Sequence, residues 1–442
     1  MVLAQNPADH EEAGEHLHHY EGKLQVYTEG TPAPLIGPTG YLMNRRFLPL
    51  AGLERGRNVS CGNVIRCRVN DSNTLPKLQG LEIQNAVKHC QRTHYRPPTP
   101  PRLIVAQGEY ATWATTGEPT WKDGHKVSTL RGWLHPYAPV WESHGPVHQS
   151  RNIYHPGPNE TAVLVAFHLA FLFRSPWEEP AAVQDWRKVG WVLKGSWPER
   201  LPQIERQGPN LWPSVSGFDT EFIPDTRKLI RWSLAWEERP GSPYQYSGLR
   251  VHVVEAPTEP YHERGYVTPP GSPVAVYSHN WIADLPHFYD VIGIRNATLE
   301  DTMYQHGVLY SDLEHTMDYV GSIYARINRW KHLEYINPIE YSAGDAVGAL
   351  DGGKYMTSAL LRDPLSDRVY REYMLPLLGP LSRYEAGPGI PLHPERVRAS
   401  LKALNRVRED AERRAQASSG WPLKLSQGQK VGRQLFKVEK LG

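Results

Sequence analysis

Three cysteines in 442 residues are too few for a disulfide framework, and Cys61, Cys67 and Cys90 all fall in the first quarter of the chain. That usage fits a reducing compartment, and the clustering raises a local metal or iron–sulfur role. Long apolar runs are missing too: no window approaches the roughly 20 residues a membrane helix needs. The start, Met1-Val2-Leu3-Ala4-Gln5-Asn6, has no basic opening, apolar middle or small-residue cleavage site of a secretory signal. A cytoplasmic protein with no membrane partner is expected. Charge of one sign is also lacking, since 49 Lys and Arg against 47 Asp and Glu leave a net +2. Any nucleic-acid path must therefore be a local basic surface.

What is present is the mix of a soluble globular protein, 40% hydrophobic and 22% charged. The length calls for two compact domains. Residues 1–190 alternate short apolar runs with helix-like segments, as in a parallel α/β sheet, with strands expected at Val2 to Ala4, Val59 to Ile65, Leu103 to Ala106 and Ala162 to Phe167. Residues 191–213 read as a polar, proline-bearing linker. The next segment, 214–360, opens with the strand Val215 to Phe222 and a second alternating strand, Lys228 to Trp236. Further strands are expected at Leu249 to Val254 and Val274 to Ser278, then helices around Asp284 to Ile292, Leu313 to Tyr324 and Pro338 to Leu350. From 361 to 442 the pattern is that of a helical tail. His16, His18 and His19 are spaced as on one helix face, which reads as a solvated face before a metal site.

Asp219-Thr220-Glu221 follows an apolar run, so strand alternation turns two carboxylates to one face. Asn280-Trp281-Ile282-Ala283-Asp284 stands at a strand-to-helix junction, where a carboxylate can point back over the sheet. Tyr341-Ser342-Ala343-Gly344-Asp345 has one-turn helical spacing, which stacks phenol and carboxylate on one face. Each motif is common alone; the order and intervals of all three are not.

The set resembles the DEDD nucleases of the ribonuclease H-like superfamily, in the subclass whose third motif carries tyrosine. Asp301-Thr302-Met303 and Thr316-Met317-Asp318-Tyr319-Val320-Gly321-Ser322-Ile323-Tyr324 resemble the stretch between the second and third motifs of phage-type family A DNA polymerases. The resemblance implies a mixed-sheet 3′→5′ proofreading exonuclease acting on single-stranded 3′ ends of DNA. It implies two Mg²⁺ or Mn²⁺ ions held by Asp219, Glu221, Asp284 and Asp345, with Asp219 bridging, Asp284 supporting the second ion and Tyr341 orienting the attacking water with Glu221. Two hard cations roughly 4 Å apart suit phosphodiester hydrolysis, because charge develops on both the attacking and the leaving oxygen.

Four segments of the first half resemble the iron–sulfur type of uracil-DNA glycosylase, a three-layer α/β/α parallel-sheet fold. They are Ala4-Gln5-Asn6-Pro7-Ala8; Pro34-Leu35-Ile36-Gly37-Pro38-Thr39-Gly40 with Ala51-Gly52-Leu53; Asn63-Val64-Ile65-Arg66-Cys67-Arg68; and Arg131-Gly132-Trp133 with Phe167-His168-Leu169-Ala170. The resemblance gives Asn6 the water, Asn63 the base edge and His168 the departing base. Leu35 replaces the usual stacking aromatic ring, and Leu169 the proline after the histidine. Cys67 and Cys90 match the second pair of iron–sulfur ligands, but the first pair has no counterpart, and such clusters take four ligands.

The tail segments Tyr373-Met374-Leu375-Pro376-Leu377-Leu378 and Leu425-Ser426-Gln427-Gly428-Gln429-Lys430 resemble the approach to a family A polymerase thumb. No palm or fingers follow, so a separate DNA polymerase chain is the expected partner. The alternatives are a first domain that serves as a silent DNA-binding or assembly module, and a free-standing RNA-trimming nuclease.

Overall fold

A computed structural model describes residues 1–4, 15–20, 23–28, 35, 37–65, 85–90, 101–118, 126–140, 154–157, 159–201, 203–205, 208–209, 212–237, 248–255, 274–289, 297–386 and 393–419. The fold is α/β, with two mixed sheets and a helical tail.

The first sheet runs β4-β1-β5-β7-β6, built from β1 (Val2–Ala4), β4 (Cys61–Asn63), β5 (Leu103–Gln107), β6 (Leu134–Pro136) and β7 (Ala162–Ala166). β4, β1, β5 and β7 are mutually parallel and β6 is antiparallel to β7. β1, β5 and β7 are buried at every position, which explains their near-continuous apolar sequence. Alternate residues feed two layers. Val2, Ala4, Val105 and Leu164 join Phe47 and Trp186, the latter on α4 (Glu179–Lys194), while Leu3, Ile104, Ala106 and Val163 join Val64 and Trp113. The helices α1 (Pro38–Leu42), α2 (Glu109–Thr116) and α3 (Val127–Leu130) complete this half.

The histidine-rich stretch departs from expectation. Glu15–Tyr20 is strand β2, antiparallel to β3 (Lys23–Thr28), with Tyr20 opposite Lys23. Pairing with β3 overrides the helical spacing of His16, His18 and His19.

The second sheet runs β13-β12-β9-β10-β11-β8. β9 (Val215–Phe222), β10 (Leu229–Glu237) and β11 (Leu249–Glu255) form an antiparallel meander, β12 (Val274–Ser278) lies parallel to β9, and β13 (Ala297–Asp301) lies parallel to β12. The stretch read as a linker contains ordered structure. Ile204–Glu205 is β8, parallel to β11, and Trp197 and Trp212 are buried, so these residues complete the second half's edge and core.

Helices flank the second sheet: α5 (Trp281–His287), α6 (Thr302–Leu309), α7 (Met317–Tyr324) and α8 (Pro338–Leu360). α5 begins three residues before the expected start. α7 begins four after it, because the Thr316 side chain accepts from Tyr319 N at 3.3 Å and caps the helix there. α8 runs ten residues past its expected end. α8 and α5 cover opposite faces of β9. Gly217 has no room for a Cβ against the α8 backbone at Ala346, whereas Phe218 stacks on Trp281 of α5 with centroids 5.9 Å apart.

Met1–Arg383 forms one compact unit that includes both sheets. Buried polar bonds join them: Arg131, itself bonded to Asp185 at 2.9 Å, donates to Ser322 Oγ at 2.8 Å, Lys188, itself bonded to the Gly132 carbonyl at 3.0 Å, donates to the Ser322 carbonyl at 2.6 Å, and Asn328 pairs with both backbone groups of Leu134. Beyond α8 come α9 (Pro364–Arg368) and α10 (Leu378–Ala386). The second unit, Tyr384–Gly442, carries the 26-residue helix α11 (Pro394–Ser419), almost all of it exposed, in line with the expected helical tail. Among the described residues no helix is long and apolar enough to cross a membrane.

Candidate active site

Asp219 and Glu221 leave β9 on the face that α8 covers. Their partners across the ladder are Ser233 and Arg231 of β10, and both of these grip α8: Ser233 Oγ donates to Ser342 O at 2.8 Å and Arg231 to Pro338 O at 3.0 Å. The strand and the first turns of α8 are thereby locked together. Asn337 caps that helix on Glu340 N at 3.3 Å, with Pro338 at its first position. Tyr341 and Asp345 follow one turn apart.

This geometry gathers Asp219, Glu221 and Asp345, each offering a carboxylate oxygen within 4.8 Å of the others. Burial, and then Asp345, Glu221 and Asp284, push the Asp219 carboxyl well above the usual carboxylate range. Burial, followed by Asp345, brings Glu221 up to about 7. Asp219 Oδ2 is buried with no hydrogen-bond partner among the described residues. An orphaned buried carboxylate oxygen beside two others is a set that fits hard divalent cations, which take all-oxygen donors and supply the charge this cluster lacks.

Asp284 stands beside the trio, outside the cluster. It is 3% exposed and approaches β9 from the opposite face, where the hydroxyls of Thr220 and Ser278 donate to its two oxygens. Burial holds its pKa up to about 7 even though those hydroxyls favour the ionised form. Asp301 fixes the start of its helix by accepting from Trp281 N at 2.7 Å, and it also caps α6 on Met303 N at 2.9 Å and Tyr304 N at 3.1 Å. Three of the four expected carboxylates thus converge, and the fourth bears on Asp219 and Glu221 through its charge.

Sequence reasoning missed the groups that hold Asp345. Trp330 Nε1 donates to Asp345 Oδ1 at 2.8 Å, and Lys331 Nζ donates to Oδ2 at 2.8 Å and to Tyr341 Oη at 3.0 Å. Gly344 has a reason of its own: a Cβ there would overlap the Trp330 ring. Trp330 and Lys331 precede α8 where the chain has no periodicity, so an aromatic–basic pair about three turns upstream of Tyr341 was the one available signal.

In the first half, Asn63 ends β4, Gln107 ends β5 and His168 lies two residues past β7, so all three occupy the carboxyl edge of the parallel strands. His168 Nδ1 accepts from Ala170 N at 3.3 Å, which leaves the proton of the neutral ring on Nε2. Burial, with Arg174 adding to it, brings its pKa down to about 4. Asn6 and Cys67 lie outside the described residues. Cys90 is buried among Leu3, Val64, Val87 and Ile104, and Cys61 is half-buried on β4.

No protein-family model and no curated protein matches the chain. Solved structures with faint likeness include Brucella melitensis NrnC with bound Mg²⁺ (16% identity, TM-score 0.29, 42% of this chain and 92% of that one) and NrnC bound to pGG (17%, 0.29, 42% and 92%). A third, NrnC alone, gives 16% identity, TM-score 0.28, and 42% and 93%. Likeness this faint carries no argument, and the functional reading rests on the side chains.

Proposed function

We propose that the chain is a metal-dependent 3′→5′ exonuclease acting on single-stranded DNA ends. The observation that carries it is the convergence of Asp219, Glu221 and Asp345, with Tyr341 one helical turn from Asp345. Two divalent cations, when bound, would stabilise charge on the attacking and leaving oxygens. Asp219, Glu221 and Asp345 would hold them, and Asp284 would lend negative charge from the far face of β9. Glu221 and the Tyr341 hydroxyl would together orient the attacking water. The preference for DNA over RNA rests on the polymerase-like segments 301–303 and 316–324.

The test is removal of a mismatched 3′ nucleotide from labelled primers in Mg²⁺ or Mn²⁺ by wild type and Asp219→Ala. Loss of activity in the variant supports the site assignment; persistent activity overturns it. Faster degradation of an RNA strand of equal sequence would overturn the choice of DNA, and a polymerase chain as partner is expected to co-purify with the full chain.

A second reading concerns the first half, as a uracil-DNA glycosylase-like module. It is favoured by Asn63 and His168 at one edge of the parallel sheet, where open α/β sheets bind ligands. With Nε2–H as its donor, His168 would bond the O2 of the departing base, Asn63 would read the base edge and Asn6 would place the water. Uracil release from single-stranded DNA, lost in His168→Ala, is the outcome expected of an active module. No release by wild type would leave a DNA-binding or assembly module.

A further inference from the structure

Within the carboxylate cluster the structure places a cation of its own. Lys331 Nζ lies 2.6 Å from Asp345 Oδ1 and 2.8 Å from Oδ2, 3.0 Å from Tyr341 Oη and 4.5 Å from the phenol centroid. Its side chain is 22% exposed. Burial works against its charge, but Asp345 and Tyr341 outweigh it and hold the ammonium above the usual lysine range. The neighbouring His279 does not share the task, since burial and Lys331 itself bring its pKa down to about 3.

An ammonium donates three hydrogen bonds and accepts none. Lys331 spends its donors on Asp345 and on the phenol oxygen. Because Tyr341 Oη accepts from Lys331, its own O–H must point elsewhere, and Asp345 and Glu221 are the charges that bear on it. With Trp330 N–H on Oδ1 as well, three of the roughly four lone-pair sites of the Asp345 carboxylate are occupied.

We infer that Lys331 is the built-in counterion of the carboxylate cage, a positioning residue that holds Asp345 and Tyr341 ready and competes with divalent metal for Asp345. The inference rests on the metal-dependent nuclease reading above. The competition has a definite sign. A lysine that merely braced α8 would, on removal, loosen Asp345 and weaken metal binding and turnover together. Removing a counterion leaves the carboxylates unbalanced, so metal binds more tightly, whereas turnover falls because Tyr341 loses the donor that directs its hydroxyl.

The experiment is Mn²⁺ titration calorimetry on the full chain for wild type, Lys331→Met and Lys331→Gln, with kcat for 3′-nucleotide removal at saturating Mn²⁺ as the second readout. Neutralising one adjacent positive charge is expected to tighten Mn²⁺ binding roughly tenfold in both variants, while kcat falls by roughly tenfold or more. Glutamine keeps hydrogen-bonding capacity without the charge, so it decides the matter even where methionine impairs folding. Unchanged or weaker Mn²⁺ binding by Lys331→Gln overturns the inference and leaves the nuclease reading standing. No Mn²⁺ binding by wild type overturns both.

Discussion

Replacing Asp219 by Asn should stabilise the protein without metal and destabilise it, relative to wild type, with metal. Two like charges no more than 4.8 Å apart repel by at least about 3.5 kcal/mol at an effective dielectric of about 20. Asp219 faces two such neighbours, Glu221 and Asp345. Shared protons and Lys331 relieve most of that repulsion, so the net gain from Asp219→Asn in EDTA should be about 1–2 kcal/mol, a few degrees in Tm. In Mg²⁺ or Mn²⁺ at a hundredfold excess over Kd, wild type should gain about 2.7 kcal/mol and the variant little. The melting curves should therefore cross between the two conditions. A pH series adds a second constraint. Asp219, Glu221 and Asp284 all have folded-state pKa values above the ordinary carboxyl range, the last two near 7. The folded protein then keeps protons that the unfolded chain releases, so metal-free stability is full below about pH 4 and declines as pH rises toward 7. Asp219→Asn should flatten that decline. Thermal melts in EDTA and in MnCl₂ across this range measure both effects. A variant less stable than wild type in EDTA, or a wild-type Tm indifferent to Mn²⁺, would refute the reasoning.

Trp330→Phe keeps an aromatic ring under Gly344 but removes the indole N–H from Asp345. Steady-state kinetics should show kcat down roughly tenfold, with the loss of one hydrogen bond to a charged group costing about 1.5–3 kcal/mol in urea unfolding. Arg131→Met leaves the buried Asp185 carboxylate without its partner, and the urea midpoint should fall by an amount equivalent to about 3–5 kcal/mol. The double variant Arg131→Met, Asp185→Leu should recover much of that loss, and no recovery would mean that the cost lies in packing.

Legibility from sequence followed the range of the interactions. β1, β9 and β12 were readable to the residue because unbroken apolar runs and period-two alternation are local signals, and the spacing of Tyr341 and Asp345 is a local helical one. β13 and α6 were not anticipated. Ala297–Asp301 owes its strand to pairing with β12, and α6 owes its start to the Asp301 cap. β8 escaped because two residues pairing with β11 leave no periodicity at all. At the site, Asp219, Glu221 and Asp345 came from spacing. What spacing could not reveal is which way a carboxylate turns. Asp284 stands at the expected junction, but the hydroxyls of Thr220 and Ser278 claim its oxygens from the other face of the strand.

The same distinction explains how the two halves depend on one another. Compositional boundaries near residues 190 and 213 suggest two domains, and buried charges of the first half make hydrogen bonds across them. Arg131, Asp185 and Lys188 are fully buried, and Arg131 and Lys188 donate to Ser322 of α7. Separating the halves would strip the Ser322 contacts from Arg131 and Lys188 and expose Trp133, whose ring meets Trp330 edge-on at 5.7 Å. Trp330 is the residue whose N–H holds Asp345. The carboxylate cluster is thus supported from below by a tryptophan that packs against the first half, so the cluster and the first sheet lie in one compact unit.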